Sequence, residues 1–128
     1  GFGRKLQVIE VGSGNVVLET GFDDMISALF DPSSRRLFVA RTDGIVEVRE
    51  GLAWSVATRL AYTTPSPRPK DIALALNSDG DRIAVAPLGN RKVYVLPNNG
   101  EPAVELSGHK EAVVDVLFDA TGRRVVTR

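Results

Sequence analysis

With 128 residues, sixteen Lys and Arg against sixteen Asp and Glu, and no cysteine, the chain has room for one domain with a real core and carries no net charge. Neutrality removes the long-range field that steers a protein to nucleic acid or an acidic surface, so neither nucleic acid nor membrane is expected as a partner. The missing cysteines exclude disulfides, thiolate catalysis and sulfur-ligated zinc.

Apolar residues alternate, or run for four to six positions, between clusters of Gly, Pro, Asn and Asp. That is strand chemistry, and no segment holds a helical stripe for three turns. In chain order the strands are expected at 4–10, 15–20, 25–30, 36–40, 45–49, 56–62, 71–76, 82–86, 92–96, 102–107, 113–118 and 124–128. Asp79-Gly80 and Thr121-Gly122 supply the positive φ a tight hairpin needs, and Asp31-Pro32 pre-sets a turn entry. Residues 62–70, with prolines at Pro65, Pro67 and Pro69, are expected to form an extended, exposed loop. The apolar runs fall far short of the ~20 residues a membrane helix needs. No signal-like apolar segment opens the sequence, and a soluble, cytoplasmic chain is expected.

One pattern recurs. Met25–Phe30, a polar turn, Arg36–Ala40 and Ile45–Val48 are matched by Asp71–Leu76, a turn, Arg82–Ala86 and Arg91–Val95. A third copy begins at Val113–Phe118, reaches Arg124–Thr127 and stops, while Arg4–Val8 at the amino end matches the piece it lacks. Leu6 to Val46 spans 40 residues, Val46 to Val93 spans 47, and wrapping from Val93 through Arg128 to Leu6 gives 41. A period near 40 residues with four short strands is the signature of propeller blades. The expectation is an all-β chain of three repeats, each four antiparallel strands named a to d outwards. It forms one partial β-propeller domain over 1–128, divided into segments 1–21 (c, d), 22–62, 63–107 and 108–128 (a, b).

The stretch Leu106-Ser107-Gly108-His109, with Ala112–Phe118 and Gly122–Thr127, resembles a WD-repeat (WD40) blade, as does Asp43-Gly44-Ile45-Val46-Glu47-Val48 at the entry to a c strand. The resemblance implies a Gly-His pair before strand a and a buried relay of His, Ser or Thr, Trp and Asp in each blade. Only His109 and Thr127 remain of that relay. Where a Trp-Asp pair should close strand c, the chain has Ile9-Glu10, Arg49-Glu50 and Leu96-Pro97. These are degenerate blades, expected to be held mainly by apolar packing.

Three repeats cannot close a ring, since propellers carry about four to eight blades. Open ends expose strand edges that recruit partners. Two copies, each lending its terminal strands to the other, would give a closed six-bladed homodimer; the alternative is that the missing blades belong to a longer parent chain. Opening without Met and stopping inside a repeat, the sequence is compatible with either.

The chemistry is sparse. His109 is the single histidine, so a Ser-His-Asp relay or a histidine metal site has at most this one candidate; it reads as structural in its blade, and no catalytic residue, metal or cofactor is expected. Asn77-Ser78-Asp79-Gly80-Asp81 lacks the distal Glu of a calcium loop and reads as a hairpin turn. Asp23, Asp24 and the scattered Glu residues read as solvated charges. The candidate partner contacts are Arg68, Pro69 and Lys70 in the Pro-rich loop, together with Trp54, which reads as an exposed anchor or, preferably, as cover over a blade edge. The function expected is a non-catalytic scaffold for protein–protein contacts. Its alternatives are a ligand- or metal-binding propeller of the lactonase or quinoprotein type, drawing on Asp23, Asp24, Asp71 and His109, and the sensor region of a larger signalling protein.

Overall fold

The computed structural model describes residues 5–21, 25–31, 35–62, 71–87, 91–99, 101–107, 113–119 and 121–128. These residues form twelve strands and no helix: β1 (Lys5–Ile9), β2 (Val16–Gly21), β3 (Met25–Phe30), β4 (Arg36–Arg41), β5 (Ile45–Glu50), β6 (Ser55–Ala61), β7 (Ile72–Leu76), β8 (Arg82–Pro87), β9 (Val93–Pro97), β10 (Val104–Leu106), β11 (Val116–Phe118) and β12 (Val125–Thr127). Within each sheet consecutive strands pair antiparallel, giving sheet 1 (β1–β2), sheet 2 (β3–β6), sheet 3 (β7–β10) and sheet 4 (β11–β12). The all-β architecture expected from the periodicity is present as two complete four-stranded sheets flanked by two half-sheets.

Several strands are shorter than the sequence pattern suggests, β10, β11 and β12 most, at three residues each. β10 starts only at Val104, past Pro102, which has no N–H to give a ladder. β11 starts at Val116 because the Val114 and Asp115 N–H groups both converge on the Arg128 carbonyl, at 2.5 and 3.0 Å, an irregular start to the pairing.

Hydrophobic alternation stacks the sheets face to face. From sheet 2, Phe38, Ala40, Val46, Val48 and Leu60 meet Ile72, Ile83, Val85 and Leu96 of sheet 3 in the largest apolar cluster. The opposite face of sheet 3 sends Ala75, Ala84, Ala86 and Val93 against Val113, Val116 and the half-buried Phe118 and Val125 near sheet 4. The opposite face of sheet 2 presents Leu37 and Val39 to Leu6 and Val8 of sheet 1. At the inner side, β7 lies beside β3 and also beside β11, so the a strands line up along one side of the stack.

The a-to-b hairpins share one closing device. Asp31 Oδ1 accepts from the N–H groups of Arg35 and Arg36 at 3.0 and 3.3 Å. Asn77 Oδ1 does the same for Asp81 and Arg82, at 3.0 and 3.1 Å, and Asp119 Oδ1 for Arg123 and Arg124, at 3.2 and 3.3 Å. An Asx side chain thus satisfies two turn donors that would otherwise need water. The turns also nest. A Cβ on Gly80 would lie 3.2 Å from the Cβ of Asp31, and one on Gly122 would lie 3.1 Å from that of Asn77, so each turn glycine sits on the Asx residue of the preceding sheet.

Candidate interaction surface

The repeat equivalence fixes which faces lack cover. Both β1–β2 and β5–β6 carry a bulge at one shared place, between Val8 and Ile9 and between Val48 and Arg49. Sheet 1 is therefore a c–d pair, with Gln7, Ile9 and Glu10 standing where sheet 2 has Glu47, Arg49 and Glu50. Phe118 pairs with Val125 as Phe30 pairs with Leu37 and Leu76 with Ile83, so sheet 4 is an a–b pair.

Several equivalent residues differ in burial where a half-sheet is missing beside them. Val126 is 57% exposed, while its counterparts Phe38 and Ala84 are fully buried. Ile9 is 51% exposed against 7% for Arg49 and 2% for Leu96. Phe30 is 44% exposed, whereas Leu76 is half-buried against the main cluster, because sheet 1 has no inner strands to lie over Phe30. At the other end a cavity of about 490 Å³, lined by Arg82, Val95, Asn98 and Val104, lies on sheet 3 where sheet 4 has no outer strands.

Trp54 closes the β5–β6 turn at φ 52°, a left-handed conformation uncommon for a large side chain. Its N–H donates to the Gly51 carbonyl at 3.2 Å, and its own carbonyl accepts from Arg49 Nη1 at 3.2 Å. The indole meets the Phe30 ring edge-on, with centroids 5.4 Å apart, and packs against Leu37 and Val39. Thr127 sits in β12 opposite Val116. Arg68, Pro69, Lys70 and His109 lie outside the described residues, as do Asp23 and Asp24. Asp71, which is described, uses its Oδ1 to accept from the Ile72 N–H at 2.9 Å, a local cap at the strand start.

One reading of the charges needs correction. Glu47 is not solvated: its side chain is 3% exposed and bracketed by two guanidinium groups. Arg41 Nη1 donates to Oε2 at 3.1 Å, while Arg49 Nε and Nη2 donate to Oε1 at 3.2 and 3.1 Å. Arg41 also forks onto Asp43, at 3.1 and 2.6 Å, and the Tyr62 hydroxyl donates to the Arg41 carbonyl. Burial pushes the Tyr62 phenol far above its usual range, with the Asp43 charge adding to the effect, so it stays protonated and keeps the proton it donates. A carboxylate that accepts three hydrogen bonds from two arginines and is 3% exposed lacks the access that acid–base chemistry requires. The network adds a buried ionic contact to sheet 2 beside the apolar cluster of Phe38, Ala40, Val46, Val48 and Leu60. Among the described residues no three His, Asp or Glu side chains gather as a metal site.

No protein-family model matches the sequence, and no curated protein is similar to it. Solved structures share its fold. The β-propeller domain of Cps50 (Swd1) from Myceliophteria thermophila superposes with a TM-score of 0.66 at 18% identity, over 81% of this chain and 32% of that one. The WD40 repeats of RRP9 superpose with a TM-score of 0.64 at 15% identity, again over 81% and 32%. The chain thus spans about a third of the length of the solved structures it matches. Its fold is that of a WD40-like β-propeller with its terminal sheets unclosed.

Proposed function

We propose that the chain is a non-catalytic scaffold for protein–protein contacts, built from degenerate WD-like blades. The single observation that supports this most strongly is the exposure of Val126, Ile9 and Phe30 at positions whose counterparts elsewhere in the chain are covered. Such surface, next to an unpaired backbone edge, is stable only when another polypeptide lies on it. The first partner this reading names is a second copy of the chain. Further partners would approach through the loop carrying Arg68, Pro69 and Lys70, where prolines lower the entropy lost on binding.

The test is a binding comparison. A protein captured by the immobilised chain is titrated against the parent and against Arg68→Glu/Lys70→Glu. The expected result is a dissociation constant at least about tenfold weaker for the variant, the scale of two lost charge contacts. A chain that retains no protein beyond background would reject the scaffold.

A further inference from the structure

We infer that Asn99 is a site of spontaneous covalent modification, where the side-chain amide closes onto the next peptide nitrogen and water opens the ring to aspartate or isoaspartate. Of the asparagines Asn15, Asn77, Asn90, Asn98 and Asn99, the last alone is followed by glycine. A glycine nitrogen meets no hindrance from a side chain of its own residue, and its backbone has the widest choice of φ and ψ. The step conserves atoms. The Gly100 nitrogen loses its proton to hydroxide and attacks Asn99 Cγ; the new C–N bond closes a five-membered imide, and Nδ2 departs as ammonia with a proton taken from water. A second water opens either imide carbonyl, leaving one carboxylate where a neutral amide stood.

Three features of the structure bring the reaction to this residue. Asn99 lies exposed in the turn between β9 and β10, and its Oδ1 accepts from the Glu101 N–H at 3.0 Å. A donor fixed on that oxygen draws electrons from Cγ and stabilises the oxyanion of the tetrahedral intermediate. The leaving group is unhindered too, since Nδ2 has no hydrogen-bond partner among the described residues. Asn77 makes the contrast: it is buried, its Nδ2 donates to Asp81, its Oδ1 accepts from the Asp81 and Arg82 N–H groups, and Ser78 follows it. Nor do neighbouring sheets shield such a turn. Glu50 pairs with Arg36 as Pro97 pairs with Arg82, so Leu52 is the counterpart of Asn99, and it is fully exposed although sheet 3 packs complete against sheet 2. The Asp-Gly pairs do not compete. Asp43 is held by Arg41, Gly80 rests against Asp31, and an ionised carboxylate resists attack. The new carboxylate joins Asp81 and Glu101 on the wall of the 490 Å³ cavity, and isoaspartate lengthens the turn before β10 by one methylene.

The experiment is peptide mapping by mass spectrometry of the folded chain during storage at mildly alkaline pH, for the parent, Gly100→Ala and Asn99→Gln. In the parent, deamidation is expected at Asn99 ahead of every other asparagine, as a mixture of aspartate and isoaspartate that appears as a more acidic band on isoelectric focusing. Gly100→Ala should slow it at least about tenfold by hindering the nitrogen's approach to Cγ. Asn99→Gln, which would have to close a larger ring, should abolish the acidic band. The parent unfolded in urea separates the turn's geometry from the dipeptide's own reactivity: the folded chain is expected to react at least as fast, because folding sets the donor on Oδ1. Loss of amide elsewhere while Asn99 stays intact overturns the inference, as does a reaction confined to the unfolded chain or one indifferent to Gly100→Ala. None of these outcomes bears on whether the chain is a scaffold.

Discussion

Glu47 shows how a buried charge is disguised in a strand. The run Ile45–Glu50 alternates apolar and polar residues, and alternation alone reads the polar set as facing water. The signal that distinguishes it is the spacing: Glu47 and Arg49 share one side of β5, and Arg41 returns to that side at the end of β4. Removing the carboxylate strands Arg49, whose side chain is 8% exposed, without its counter-charge. Glu47→Ala should therefore cost about 3 kcal/mol in chemical denaturation. Lys92→Ala, which breaks the exposed pair Lys92–Glu105 at 2.8 Å, should leave the denaturation midpoint nearly unchanged, because solvent screens that pair. Asp119 makes a prediction about pH. The Thr121 hydroxyl first, then the N–H groups of Arg124, Arg123 and Gly122, hold its carboxyl below the usual value. A carboxylate whose folded pKa is depressed contributes stability above the unfolded pKa and loses it as pH falls through the folded one. The parent should therefore lose thermal stability on acidification more steeply than Asp119→Asn, which keeps the acceptor but cannot titrate; superimposable melting-temperature profiles for the two would contradict this.

At the level of elements, the hairpins were the most legible part of the chain, because turn residues and strand alternation recur in one order three times. The Asx device was half visible: Asp31, Asn77 and Asp119 open each turn, but only the geometry shows a single oxygen taking two N–H groups. The bulges at Ile9 and Arg49 left no mark in the sequence, since any residue can occupy them. The relay implied by His109 and Thr127 was read from motif residues, and its histidine lies outside the described residues. The glycine nests were invisible because they join turns about 40 residues apart. Gly80 combines a φ of 70° with a Cβ position 2.8 Å from Arg36 Nη2 and 3.2 Å from the Asp31 Cβ. The Arg36 tip can move aside, but the Asp31 backbone turn cannot. Gly80→Ala should destabilise the chain by about 1–2 kcal/mol, the cost of a left-handed non-glycine residue. A neutral result in urea unfolding would show that the turns slide past one another.

For the whole molecule, the sequence carried the count of repeats but not the order of stacking or the size of the bare faces, which depend on how each sheet lies on the next. The shared core is where that stacking is decided. Phe38, fully buried between sheets 2 and 3, should cost about 3–5 kcal/mol when cut to alanine, enough to unfold a small domain of ordinary stability. If two copies share their terminal sheets, folding and association are one equilibrium, and the melting temperature should rise with protein concentration. A midpoint independent of dilution would separate the two processes. The turn nests also have a geometrical consequence. Because Gly80 and Gly122 rest on the residue behind them, they set the angle by which each sheet is rotated from the last. A small change in that angle, repeated from sheet to sheet, would alter the curvature of the whole stack.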